Sequence, residues 1–156
     1  MTVSELSLDG RLVGLRPATA GDLRKVETLL TALSLPTAGT QEWWPHFTLA
    51  EADGALVGLA GIERYADGIL VRSVAVHPDW RGSGLGRALV ESVLGEASRA
   101  GARDAYLLTT TAERYFPRLG FRVITREAVP VSVQQSVEFR EACPATAIVM
   151  HRSLSS

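Results

Sequence analysis

The residues best suited by type and spacing to do chemistry are Arg81, Gly82, Ser83, Gly84, Leu85, Gly86 and Arg87. They follow a near-continuous apolar run, Ile69-Leu70-Val71-Arg72-Ser73-Val74-Ala75-Val76, which Pro78 stops. They lead into a run with Leu85, Ala88, Leu89, Val93 and Ala97 at helical spacing, closed by Gly101. Strand, glycine turn and helix in that order aim the unpaired N–H groups of 82–87, and the positive end of the helix dipole, at one spot suited to phosphate oxygens. Arg81 and Arg87 add full positive charge beside it. A P-loop would need Lys-Ser/Thr after its last glycine, and Leu85-Gly86-Arg87 supplies neither. A dinucleotide fingerprint starting at Gly82 would need glycine where Arg87 stands.

A second set of reactive residues is scattered. Arg72 lies on the apolar strand, where strict alternation gives it the same side as Leu70, Val74 and Val76. A guanidinium there is costly to bury without an anion. Two partners are open: Glu63 on the neighbouring strand as a structural ion pair, or a substrate carboxylate held bidentately, with Thr109 or Thr110 adding hydroxyl contacts. Glu63 is also the best-placed carboxylate for a general base, against a plain reading as a strand-end charge. His46 is a weaker alternative base, and His77 belongs to the Val-His-Pro turn. Cys143 beside Pro144 reads as a buried small residue, or as a nucleophile or a ligand for trivalent arsenic. One cysteine forms no internal disulfide, and three dispersed histidines do not complete a metal site, so no metal is expected.

The elements that must position these residues can be read in order. Leu12-Val13-Gly14-Leu15-Arg16 is the first expected strand, after a polar stretch from Met1 to Gly10. Thr19 and Asp22 cap a helix whose buried stripe is Leu23, Val26, Leu29, Leu30 and Leu33. Thr37 to His46 shows no period, and Trp43-Trp44 either walls a pocket or plugs the core edge. Asp53-Gly54 and Asp67-Gly68 sit between apolar runs and predict hairpins, giving an antiparallel meander whose last strand feeds the glycine turn. Asp104 to Thr109 follows a helix and should lie parallel to the preceding strand through a right-handed crossover. Thr110 and Glu113 read as a capping box before a short helix, Tyr115 to Leu119, closed by Gly120. Phe121 to Thr125 and Ala145 to His151 form a final hairpin around a polar, partly helical excursion from Val129 to Glu141. The fold class expected is α/β (α+β): a mixed, mostly antiparallel sheet with helices on both faces. A V-shaped splay opens between the fourth and fifth expected strands, one entered by hairpin and the other by crossover.

The chain has 156 residues and a formal net charge of −1, with both signs dispersed. That predicts one domain over 1–156, long enough for a real core, and gives no basic footprint for nucleic acid. No apolar run is long enough to cross a bilayer and no leader is recognisable, so no membrane partner and a soluble, cytoplasmic protein are expected. A homodimer is compatible with these features.

Arg-x-x-Gly-x-Gly, here Arg81, Gly84 and Gly86 after a strand ending Val-His-Pro, resembles the pyrophosphate-binding motif of the GNAT superfamily of acetyl-CoA-dependent N-acetyltransferases. The resemblance implies acetyl-CoA as cosubstrate, held by Arg81 to Arg87, with the pantetheine arm added alongside the strand at Val74 and Val76. It implies the Val76 N–H as the oxyanion donor. Members commonly read Tyr-x-x-Leu-Gly-Phe where this chain has Phe116-Pro117-Arg118-Leu119-Gly120-Phe121, the tyrosine protonating the departing thiolate. Phe116 takes that place, and Tyr115, about 100° round a helix, is the replacement candidate. Leu107-Leu108-Thr109-Thr110, Tyr115-Phe116, Val129-Pro130 and Ala147-Ile148-Val149-Met150 resemble acetyltransferase domains of acetylglutamate synthases. Glu138-Phe139 with Cys143-Pro144 resembles small arsenic-resistance-associated N-acetyltransferases. The implied function is acetylation of the primary amine of a small amino-acid-like substrate, in arsenic or toxic amino-acid-analogue resistance. Alternatives are a protein or peptide N-acetyltransferase, and a non-catalytic CoA-binding sensor or interaction module.

Overall fold

The computed structural model describes residues 4–142 and 146–154. One sheet of eight strands runs in the order β1-β2-β3-β4-β5-β6-β8-β7. Its strands are β1 Ser4–Leu8, β2 Arg11–Pro17, β3 Phe47–Ala52, β4 Ala55–Tyr65, β5 Gly68–Val76, β6 Asp104–Thr109, β7 Arg122–Ile124 and β8 Ile148–Ser153. Only β5 and β6 pair in parallel, so the sheet is mixed and mostly antiparallel. The helices are α1 Leu23–Ala32, α2 Thr40–Trp43, α3 Leu85–Arg99 and α4 Val131–Gln134. Under α3 the core gathers Leu85, Leu89, Val90, Val93 and Leu94 with Ile69, Val71 and Leu107. On the opposite face α1 contributes Val26 and Leu30 against Phe47, Leu49, Leu59 and Ala75, while Val133 of α4 packs with Leu70 and Tyr106. Each fully buried leucine contributes roughly 1.5–3 kcal/mol to this arrangement.

The meander expected from the Asp-Gly pairs is present, with one shift. Asp53 and Gly54 occupy a two-residue turn at φ 51° and 78°, the left-handed values that such hairpins need. In the next hairpin Tyr65 pairs with Gly68, so the connecting residues are Ala66 and Asp67. The polar N-terminal stretch also holds a strand the composition hid: β1 pairs with β2 around Asp9 and Gly10, at φ 52° and 78°. The last strand starts at Ile148 and enters between β6 and β7, pairing with both.

The Thr19–Asp22 box forms as expected, Thr19 donating its N–H to Asp22 at 2.7 Å. The Thr110–Glu113 box does not. Thr109 Oγ1 accepts from the Ala112 N–H at 2.9 Å instead, Glu113 is exposed, and the helical turn begins only at Phe116. Trp43 and Trp44 pack against the α1 side of the core, which settles their role as a plug at the core edge.

Candidate active site

β5 and β6 pair at Ile69 with Ala105 and Leu70 with Tyr106 and then diverge. Beyond that point β5 has a free edge. His77 donates its N–H to Val57 on the β4 side, so by alternation Val74 and Val76 turn their backbone groups to the open side. The divergence opens into a cleft of about 940 Å³ that crosses the sheet, bounded by β5, the end of β6, the glycine turn and the loop after α1.

At one end stands the glycine turn. Gly84 is the N-cap of α3 at φ 91°, a backbone conformation that side chains resist. Ser83 N–H bonds Trp80 and the Leu85 N–H bonds the Ser83 hydroxyl at 3.3 Å. The N–H groups of Gly82, Gly84, Gly86 and Arg87 are left without acceptors among the described residues. Arg81 and Arg87 are exposed, Arg87 donating to the Arg118 carbonyl at 2.9 Å. Tyr115 brings its hydroxyl against Gly86, where any Cβ would run into it, and Val76 flanks the same point. Burial pushes the Tyr115 phenol up, against the pull of Arg87 and Arg118. Phe116 is buried edge-to-face between Tyr115 and Phe121, at centroid distances of 5.2 and 5.9 Å. The aromatic at the tyrosine position of the common pattern is thus a core residue, and the neighbouring tyrosine reaches the cleft.

At the other end is Arg72, and here strict alternation fails. Between Arg72 and Ala75 β5 spends one residue more than β4 does between Gly61 and Leu59, a bulge marked by Ser73 at φ 58°. Leu70 and Arg72 therefore face the α1 and α4 side, where Arg72 lies over the Phe47 ring, while Val74 and Val76 pack on the α3 side. The expectation that Arg72 shares a side with Val74 and Val76 is corrected by this bulge. Thr109, two residues from Leu107 on β6, also turns to the α3 side with its hydroxyl oxygen engaged, and Thr110 is exposed.

The Arg72 side chain is fully buried. Its Nη1 donates to Glu63 Oε2 at 2.7 Å and its Nε to Ser73 Oγ at 3.0 Å. Nη2 has no partner among the described residues. A bidentate grip through Nε is thus precluded, and Nη2 is the nitrogen left to an incoming anion. Glu63 is buried behind Arg72, its other oxygen accepting from the Tyr65 hydroxyl. Glu63 is absent from the cleft lining, unlike Glu138, whose Oε2 stands 3.7 Å from Arg72 Nε. Burial pushes the Glu138 carboxyl up to about 7; Arg72 opposes the rise and Glu63 adds to it. Gly39, at φ 84°, closes the site from above: a Cβ there would stand 2.7 Å from Arg72 Nη1.

Sequence reasoning missed Tyr65, Ser73, Gly39 and Glu138 as members of this cluster; for the last the signals were a lone glutamate between Val137 and Phe139 and its place in the Glu138-Phe139 pattern, which carried a resemblance but no role. His46 stacks on Trp43 outside the cleft, and His77 accepts from the Asp79 N–H within its turn. Cys143 lies outside the described residues. Among the described residues no group of three His, Cys, Asp or Glu could hold a metal ion, and no helix is long and apolar enough to cross a membrane.

Residues 43–123 match the acetyltransferase (GNAT) domain family. The chain belongs to the GNAT acetyltransferases. Amino-acid acetyltransferases of Aeromonas salmonicida and Mannheimia succiniciproducens are 34% and 31% identical to this GNAT domain over 91 and 87 residues. Those stretches are 57% and 54% of this chain but 21% and 20% of the relatives, so the domain spans about a fifth of the curated relatives it matches. N-acetylglutamate synthase from Neisseria gonorrhoeae, complexed with coenzyme A and N-acetyl-glutamate, superposes with a TM-score of 0.79 at 21% identity, over 92% of this chain and 35% of that one. A Mycobacterium tuberculosis protein in complex with CoA does so with 0.76 at 23% identity, over 90% and 99%. This GNAT domain shares the fold of both and is related in sequence to the amino-acid acetyltransferases.

Proposed function

We propose that this domain transfers the acetyl group of acetyl-CoA to the primary amine of a small amino-acid-like acceptor whose carboxylate is taken by Arg72. The observation that carries the reading is the unpartnered Nη2 of a buried arginine that lines the cleft. A buried donor left unsatisfied costs about 1–3 kcal/mol, more when charged, and an acceptor carboxylate removes that cost. Beside Arg72 the cleft lining holds Ser73 and Glu138, and the other arginines that line it, Arg81, Arg87 and Arg118, belong to the glycine-turn end, so one carboxylate is accommodated and a second meets no further cation there.

Acetyl-CoA supplies the activated thioester. The free amides of the glycine turn, with Arg81 and Arg87, are suited to its pyrophosphate, and the open edge of β5 at Val74 and Val76 to its pantetheine arm. The Val76 N–H, on that edge, is suited to the thioester oxygen, and the Tyr115 hydroxyl beside Gly86 and Val76 to the departing thiolate. Glu63, engaged by Arg72 and Tyr65, serves on this reading to hold the guanidinium and not as the base.

The test is release of free thiol from acetyl-CoA across a panel of amino acids, including arsenic- and phosphorus-containing analogues, each run beside its decarboxylated amine. An acceptor with one carboxylate should outperform both its decarboxylated form and dicarboxylic acids. Equal rates with parent and decarboxylated amine would show that Arg72 belongs to the scaffold.

A further inference from the structure

The cluster around Arg72 holds two buried carboxylates, and the fold employs only one of them. Glu63 accepts hydrogen bonds from both Arg72 Nη1 and the Tyr65 hydroxyl and lies behind the guanidinium. That pair already neutralises Arg72. Glu138, 4% exposed, sits on the turn Glu138–Ala142 between β7 and β8 and lines the cleft. Its 3.7 Å separation from Arg72 Nε exceeds hydrogen-bond distance, and the Nε hydrogen goes to Ser73. No hydrogen bond reaches the Glu138 carboxylate from the described residues. A second buried carboxylate, facing Arg72 from β5 and Glu63 from β4, is unfavourable unless a cation joins it.

We propose that Glu138 receives the ammonium of the acceptor and takes its proton, so that the amine meets the thioester uncharged. This rests on the amino-acid reading above: carboxylate and ammonium on one carbon are close enough for Arg72 Nη2 and Glu138 to bind one each. The proton moves from the ammonium nitrogen to a Glu138 oxygen, leaving R–NH2 and a neutral carboxylic acid. The nitrogen lone pair then forms the C–N bond as the C–S bond breaks. Tyr115 gives its proton to the thiolate and is restored by the nitrogen's surplus proton, and Glu138 returns its own to solvent after product leaves. A carboxylate ionising near 7 is matched to this task at neutral pH.

The experiment follows kcat/KM against pH for the best amino-acid acceptor, in the wild type, Glu138→Gln and Glu138→Asp. The wild type should rise with pH and level near 7. Glu138→Gln should lose ~100-fold at neutral pH and lose that limb, rising instead toward the amine's own pKa. Glu138→Asp should keep a limb at lower pH. A Gln variant that retains the wild-type limb, with only a raised KM for the amine, overturns the proposal and leaves Glu138 as packing against Arg72. Infrared titration of the wild type keeps the test alive should a variant not fold: the protonated-carboxyl band should vanish as pH rises through about 7, and earlier with amino acid bound. A midpoint unmoved by the amino acid overturns the proposal. A wild type that acetylates no amino acid, yet shows the titrating band, rejects the amino-acid reading separately.

Discussion

At the glycine-turn end of the cleft the groups on offer are backbone amides and exposed arginines drawn from one stretch of chain, 81–87. At the Arg72 end they are buried side chains of both signs, brought together from Glu63, Arg72, Ser73 and Glu138 and roofed by Gly39. The first end suits a ligand with a fixed, repeated feature, because amides at a helix start read only negative charge. The second suits a ligand that must be distinguished, because every unsatisfied buried group penalises the wrong partner. The difference predicts that the two ends can be broken separately.

The largest effect should come from Gly84→Val with Gly86→Val. The first residue would be forced to φ 91° and the second would drive a side chain into Tyr115. Acetyl-CoA binding should disappear from calorimetry while far-ultraviolet circular dichroism stays near wild type; retained affinity would detach the glycine turn from the cofactor. Next, Tyr115→Phe probes the point where the ends meet. It should lower kcat by ~10²-fold with little change in KM for acetyl-CoA, and near-wild-type turnover would assign the thiolate proton to water. Arg72→Lys is confined to the other end. An ammonium cannot hold Glu63 and still present a second donor in the plane of the guanidinium, so KM for the amine should rise ~10-fold with acetyl-CoA affinity unchanged.

The last effect is on stability and leaves both ligands aside. The Glu138 carboxyl is raised in the folded protein, so the stabilisation it brings is complete below the unfolded pKa of 4.5 and is lost as pH rises through about 7. Glu138→Gln should therefore melt like the wild type in acid and above it in mild alkali, by at most ~3 kcal/mol. Equal melting temperatures at both pH values would mean that Glu138 is already relieved by a partner.

These two ends also differ in how far the sequence discloses them. The turn at Gly82 to Arg87 is local: one strand, one run of glycines and one helix dictate its geometry, and its letters can be read directly. The hairpin at Asp53-Gly54 is legible for the same reason. Asp9-Gly10 carried the same signal for β1, obscured by the polar letters of an edge strand. The Arg72 end is not local. A bulge at Ser73 reverses the side that Val74 and Val76 occupy, and no residue type in Arg72-Ser73-Val74 announces it. Glu138 enters across a long stretch of chain, between β7 and β8, and Gly39 from a loop without periodicity. Neither spacing nor propensity registers contacts of that kind.

The bulge in β5 has a kinetic corollary. On the proposed function, by sending Arg72 to one face and Val76 to the other it gives the two ligands separate doors into a common passage. Neither then has to leave for the other to enter. A ternary complex with direct transfer follows, and initial-rate lines at varied amine should intersect, where a covalent relay through the enzyme would keep them parallel. Desulfo-CoA should compete with acetyl-CoA yet act as a noncompetitive inhibitor toward the amine.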